Sequence, residues 1–224
     1  VVRNADSARL DFQTCVDWHE CRKLLKVAFP VEVRAMNATY EIQYGQVERP
    51  THYNTSWDMA RFEVCAQRWA DLSEPGFGVA LLNDCKYGHE IHRNVMRLTL
   101  LRAPISPDPV ADRGTHEFTY ALLPHGGTGL GEVRQAAAAL NSPLLVSTVR
   151  RHAGKLPSTH SLLSTDRASV VIEVVKRAED GRGIIVRLYE AEGGRGKFTF
   201  RTALPVSKAF RTNLLEEDLE SLPF

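Results

Sequence analysis

The chain has 224 residues, with 28 Lys+Arg against 27 Asp+Glu, a formal net charge of +1 and four cysteines. That balance leaves no basic footprint, which argues against a nucleic acid or an anionic membrane surface as partner. With 43% hydrophobic and 25% charged residues, and a length that buries roughly 70% of the extended chain's surface, the composition is that of a folded protein of one or two domains rather than a disordered one.

The dominant period along the chain is two. Val31, Val33 and Ala35 alternate with Glu32 and Arg34, and Tyr40-Glu-Ile-Gln-Tyr44 does the same. Arg61–Trp69 predicts a long strand. After the turn signal Glu74-Pro-Gly76 comes Phe77-Gly-Val-Ala-Leu-Leu82, a buried-type run closed by Asn83-Asp84. Tyr87–Leu101 reads as strand. The next segment, to His116, holds Pro104, Pro107 and Pro109, so it is a loop. Glu117–Leu123 returns to strand.

One helix stands out near 131–140, where Glu132-Val-Arg-Gln-Ala-Ala-Ala-Ala-Leu140 collects strong helix formers. Thr128 or Gly129 occupies the cap position, and Asn141 and Pro143 end it. An irregular stretch at 154–165 suggests a boundary between domains 1–155 and 156–224. The apolar run at 169–175 and the strand at 183–189 follow, with turns at Glu179-Asp-Gly-Arg-Gly183 and Gly193-Gly194. Asn213–Glu220 fits a helical turn or two, or a closing loop. Many half-buried strands with short punctuation predict a mostly β protein built of sandwich or barrel layers.

No apolar run approaches the roughly 20 residues of a membrane helix. The first residues, Val-Val-Arg-Asn-Ala-Asp, lack a signal-peptide layout and read as if cut from mid-protein. Cys15, Cys21, Cys65 and Cys85 are scattered, the pattern of reduced thiols in a cytoplasmic protein. His89-x-x-His92 invites a zinc reading, but residues three apart on a strand point to opposite faces and cannot share a metal. There is no nucleophile elbow, phosphate loop or dinucleotide fingerprint.

Two segments concentrate chemistry. Arg49-Pro-Thr-His-Tyr-Asn-Thr-Ser-Trp-Asp58 and Leu82-Asn-Asp-Cys-Lys-Tyr-Gly88 combine aromatic rings with amide, carboxylate and ammonium groups. Rings against sugar C–H faces, with donors and acceptors around them, are the chemistry of carbohydrate contact. The other reading is a pair of turns whose polar groups satisfy their own backbone.

The same segments carry a resemblance. Asp17-Trp-His-Glu20, Lys23-Leu-Leu-Lys-Val-Ala-Phe-Pro30, the stretch 49–58, Gly78–Gly88, Leu101–Pro109 and His116–His125 resemble the C-terminal half of the α-mannosidases of glycoside hydrolase family 38, in its cytosolic and bacterial branch. Lys176–Gly181, Ile185–Glu190 and Thr212–Asp218 continue the likeness in order. The resemblance implies a galactose-mutarotase-like β-supersandwich followed by a smaller β-sandwich. It further implies that the chain is a piece of a longer cytoplasmic enzyme, which removes terminal α-linked mannose from a mannoside or oligosaccharide with retention. The nucleophile and the zinc of that enzyme would lie in an N-terminal barrel outside this piece, leaving the piece inactive alone and without cofactor or metal of its own. His52, Asn54, Asp58, Asp84, Lys86 and Tyr87 are the candidate substrate-side contacts. A free-standing carbohydrate-binding module and a mutarotase-like sugar epimerase are the alternatives. An apolar patch of Trp18, Trp57 and Phe77 would drive self-association into a homo-oligomer.

Overall fold

A computed structural model describes residues 1–127, 129–150 and 153–223. In chain order the elements are β1 (Val2–Arg3), β2 (Leu10–Trp18), β3 (Leu24–Pro30), β4 (Asn37–Ile42), β5 (Gly45–Pro50), α1 (Ser56–Ala60), β6 (Val64–Cys65), β7 (Trp69–Glu74), β8 (Phe77–Asn83), β9 (Gly88–His92), β10 (Val95–Arg102) and β11 (Gly114–His125). Then come α2 (Gly131–Asn141), β12 (Leu163–Thr165), β13 (Val170–Arg177), β14 (Ile184–Glu190), β15 (Phe200–Thr202), β16 (Ala209–Thr212) and β17 (Asp218–Leu222). The protein is mostly β, as its alternation predicts, and divides into two compact units, Val1–Val146 and Ser147–Phe224. No helix among the described residues is long and apolar enough to cross a membrane.

The first unit pairs a seven-stranded antiparallel sheet, ordered β1-β2-β11-β8-β7-β4-β5, with a four-stranded sheet, β3-β10-β9-β6. Their inner faces share one core. Tyr40, Leu72, Leu81 and Phe118 of the larger sheet meet Ile91, Met96, Leu98 and Leu100 of the smaller. Phe12 stacks on Tyr120, with centroids 5.1 Å apart. The other face of the larger sheet is covered by α2, whose Val133 and Ala137 pack on Trp69, Ala80, Leu82, Ala121 and Leu123. β8 is therefore buried on both sides, which explains its unbroken apolar run.

Beside the core lies a buried polar knot. His125 donates from Nε2 to Asp71 Oδ1 (2.7 Å), and Ser73 donates to Asp71 Oδ2 (2.5 Å). Gly78 is required there, because a Cβ would sit 2.2 Å from Ser73 Oγ.

Several expectations are corrected. Val31–Ala35 joins no ladder, although Val33 is fully buried. Its backbone groups bond to loop and side-chain partners instead: Val31 N–H donates to Asn94 O, Arg34 N–H to Glu74 Oε2, and Ala35 O accepts from Thr51 Oγ1. Arg61–Trp69 is not one strand. It leaves α1, contributes only Val64 and Cys65 to the smaller sheet, and turns where Gln67 and Arg68 N–H donate to Glu41. Tyr87–Leu101 is a hairpin folded at Arg93-Asn94, with Arg93 at φ 54°. The cap of α2 is Leu130, with no side-chain cap bond, rather than Gly129; Thr128, the other cap expected, lies outside the described residues. Trp18 is 9% exposed, packed with Leu101 and Ala103, so it belongs to no surface patch, whereas Trp57 is 73% and Phe77 41% exposed.

The second unit consists of three two-stranded antiparallel ladders, β12-β15, β13-β14 and β16-β17. Asn213 closes the loop before β17, its Oδ1 accepting from the N–H groups of Leu215 and Glu217. The closing-loop reading of that segment is the observed one.

Candidate functional site

The stretch after β8 is built by two side chains that replace strand pairing. Asn83 is 1% exposed. Its Nδ2 donates to Gln67 O (2.9 Å) and its Oδ1 accepts from Lys86 N–H (2.7 Å), which fixes the turn. Asp84 donates its N–H to Thr119 O and accepts Thr119 N–H on Oδ2 (2.8 Å), extending the β8–β11 ladder by one residue. Asp84 Oδ1 is buried and receives no N–H or O–H from another described residue. The Cys85 thiol beside it is pushed up to about 11, by burial first and then by the Asp84 carboxylate. Lys86 lays its ammonium over the Phe118 ring, 4.3 Å from the centroid. Tyr87 is 61% exposed.

This turn forms one wall of a cavity of about 360 Å³, opposite the end of β4 and the segment Cys65–Arg68 that leads into β7. At the end of β4, Glu41 is 3% exposed. Arg68 neutralises it through Nε and Nη2, the latter 2.5 Å from Oε1, a two-pronged pairing suited to guanidinium and carboxylate. Asn141, at the end of α2, reaches the same cavity and donates from Nδ2 to Asn83 O and Ala137 O. The Gln43 and Gln67 amides also line it.

The stretch 51–58 is a second structure. Thr51 is buried and donates from Oγ1 to Ala35 O (2.7 Å). Tyr53 stacks on His92, with centroids 3.9 Å apart; burial and the neighbouring Glu90 carboxylate raise its phenol above the usual range. Thr55 caps α1 in a complete capping box: its hydroxyl accepts from Asp58 N–H and the Asp58 carboxylate accepts from Thr55 N–H. His52 Nδ1 accepts weakly from Asn54 N–H at 3.4 Å and lies 3.6 Å from Asp58 Oδ2. Asn54 is exposed. Beneath this stretch is a crevice of about 10 Å³, bordered by Tyr40, Arg49, Tyr53, Asp58 and Glu90, room for about one water.

The predicted residues therefore fall into separate places. Asp84 and Tyr87 line the larger cavity, and Asp58 borders the crevice. His52, Asn54 and Lys86 line neither. Sequence reasoning missed Glu41, Gln67 and Arg68. Nothing in Tyr40-Glu-Ile-Gln-Tyr44 distinguishes a buried carboxylate from a solvated one, and Gln67-Arg68 sat inside a strand that does not form.

Among the described residues no group of three or more His, Cys, Asp or Glu side chains could hold a metal. His89 faces the core, and His92 faces the other side of β9, against Tyr53. These residues do not fit a zinc ion, and no chemical step here passes through one. The carboxylates around the cavity and the crevice are tied to neighbours: Glu41 to Arg68, Asp58 to Thr55 and Asp84 to Thr119. Such an arrangement can orient and bind.

Comparison with known proteins gives the family. The model of the glycosyl hydrolases family 38 C-terminal domain matches residues 1–110, and that of the glycosyl hydrolases family 38 C-terminal beta sandwich domain matches residues 169–224. Alpha-mannosidase 2C1 of Homo sapiens is 51% identical over 96% of this chain, and Alpha-mannosidase G of Dictyostelium discoideum 43% identical over 97%. The chain spans only 21% and 20% of those relatives' lengths. In fold it is similar to the crystal structure of an alpha-mannosidase from Enterococcus faecalis V583, with a TM-score of 0.81 at 23% identity, covering 96% of this chain and 25% of that one. The two-sheet architecture and the ordered sequence matches meet in one conclusion: the chain belongs to glycosyl hydrolase family 38, as part of its C-terminal β region.

Proposed function

We propose that this chain is the non-catalytic β region of an α-mannosidase that hydrolyses terminal α-linked mannose with retention, its nucleophile and zinc lying in polypeptide outside these residues. The observation that carries the reading is the high identity, over nearly the whole chain, to one part of proteins named as alpha-mannosidases. The segments 51–58 and 83–88 would wall the active site of the complete enzyme, excluding water and orienting the sugar. The catalytic barrel of the same chain is then the main partner, and a mannoside or oligosaccharide the substrate. Four free cysteines suit a cytoplasmic setting. The domain division belongs to the same reading, at 155/156. That cut, like the division between compact units, falls within 142–162, where the described residues form no helix or strand.

The test is made in the complete protein. His52→Ala and Lys86→Ala should each lower kcat/KM on an aryl α-mannoside roughly tenfold or more, while Tm moves by less than about 2 °C. A fall in Tm with turnover intact would make both residues purely structural. The 224-residue chain alone should show no turnover of the same substrate. Turnover at the rate of the complete protein would overturn the reading.

A further inference from the structure

We infer that the cavity between the Asn83–Tyr87 turn, the end of β4 and the C-terminal end of α2 binds one neutral hexopyranoside ring. The inference deepens the proposed function, because it rests on the turn 83–88 facing sugar.

Size, charge and spare bonding capacity select the ligand. At about 360 Å³ the cavity is at the small end of ligand pockets, roughly 300–1,000 Å³, which is room for a single ring. Arg68 and Glu41 neutralise each other through several hydrogen bonds, which leaves the Asp84 carboxylate as the one uncompensated charge among the lining residues described. An anion would find that guanidinium already engaged. A metal cation would find no group of three ligating side chains among the described residues.

What remains suits hydroxyl groups. Asp84 lines the cavity, and beyond the Thr119 N–H its carboxylate is offered only the weak S–H donor of Cys85, so it keeps acceptor capacity that a hydroxyl can use. The Gln43 and Gln67 side-chain amides make no hydrogen bond within the described residues, and each offers a donor and an acceptor to neighbouring ring hydroxyls. Tyr87 stands exposed at the rim, a flat ring for the C–H face of a sugar. The walls are already fixed: Asn83 donates from Nδ2 to Gln67 O, and Asn141 donates from Nδ2 to two backbone carbonyls, so binding orders few new groups.

The experiment uses the ¹⁵N-labelled 224-residue chain titrated with methyl α-D-mannopyranoside, read by backbone and side-chain amide shifts. The expected result is saturable shifts at Gln67, Asn83, Tyr87 and Asn141, with a Kd of about a millimolar order. Gln67→Ala and Tyr87→Ala should each weaken binding roughly fivefold or more, with the remaining amide spectrum and Tm unchanged. Neither substitution removes a side-chain hydrogen bond of the fold, so both variants should stay folded. Ethylene glycol at equal hydroxyl concentration should leave these amides in place. A folded chain with no saturable shift at these four residues up to about 50 mM sugar overturns the inference, as do shifts confined to residues 52–58. Such a failure leaves the supporting-wall reading intact, since that is judged by turnover of the complete protein.

Discussion

At the scale of single residues, His89 shows how a period-two pattern becomes a pH dependence. It alternates inward with Ile91 on β9 and is fully buried, edge-on to Tyr40. Its Nδ1 lies 3.3 Å from Tyr87 O, while Nε2 is buried with no hydrogen-bond partner among the described residues. Burial lowers its pKa to about 4, with the Arg49 charge adding in the same direction. In the unfolded chain the imidazole titrates near 6.5. Between those values the unfolded state binds the extra proton, so stability is fully present above about pH 6.5 and is lost as pH falls towards 4. The shift corresponds to about 3 kcal/mol across that window. Urea unfolding of His89→Leu should show a pH 7 to pH 4.5 decline shallower than that of the parent chain by about that amount; an identical decline would place the acid sensitivity elsewhere. The sequence held half of this. The spacing His89-x-x-His92 told that the two rings diverge, but which of them met the core depended on the register against β10.

At the scale of elements, α1 separates local from global stability. The run Thr55-Ser-Trp-Asp58 is a capping-box sequence with Asp in place of Glu or Gln, and the structure completes both of its bonds. Yet α1 has no buried residue, so its single turn stands on its cap rather than on packing. Thr55→Ala should cost the helix about 1 kcal/mol locally, seen as faster amide exchange at 57–59 and greater rotational freedom of the Trp57 indole. The global unfolding midpoint should stay unchanged, and Thr55→Ser should restore protection. A lowered midpoint would mean that α1 supports the core. This element also marks where legibility stops. β8, β11 and α2 were readable because each carries its own apolar pattern and is covered as that pattern demands. Arg61–Trp69 alternates equally well but has a sheet neighbour for only two residues, and Val31–Ala35 has none. Alternation reports which side chains are buried, not whether a backbone partner lies alongside. The cavity was half legible for the same reason: Asp84 and Tyr87 sit in a dense polar turn, while Glu41 and Arg68 meet only through tertiary pairing.

At the scale of the whole molecule, burial is distributed unequally between the two units. Val1–Val146 holds three buried clusters, and β8 within it is paired on both edges and covered on both faces. In Ser147–Phe224 the buried residues among those described are Ser169, Val170 and Ala191, while Leu214 and Leu215 are 84% and 79% exposed. Its strands pair only in twos, and an isolated two-stranded ribbon is marginal in water. Backbone hydrogen bonds there open without exposing much apolar surface, so little free energy opposes local opening. Hydrogen exchange should resolve this difference in the intact chain. Amides at the centres of β7, β8 and β11 should exchange only through global unfolding, while those of β16 and β17 should exchange roughly a hundredfold faster or more. Denaturant at sub-unfolding concentrations should accelerate the first set and leave the second nearly unaffected, because local opening exposes little surface. Equal protection in both units would require a source of stability in Ser147–Phe224 other than its own side-chain burial. The α1 amides form a third class, fast through fraying alone and slowed only by the Thr55–Asp58 cap, so one exchange map separates cap, ladder and core.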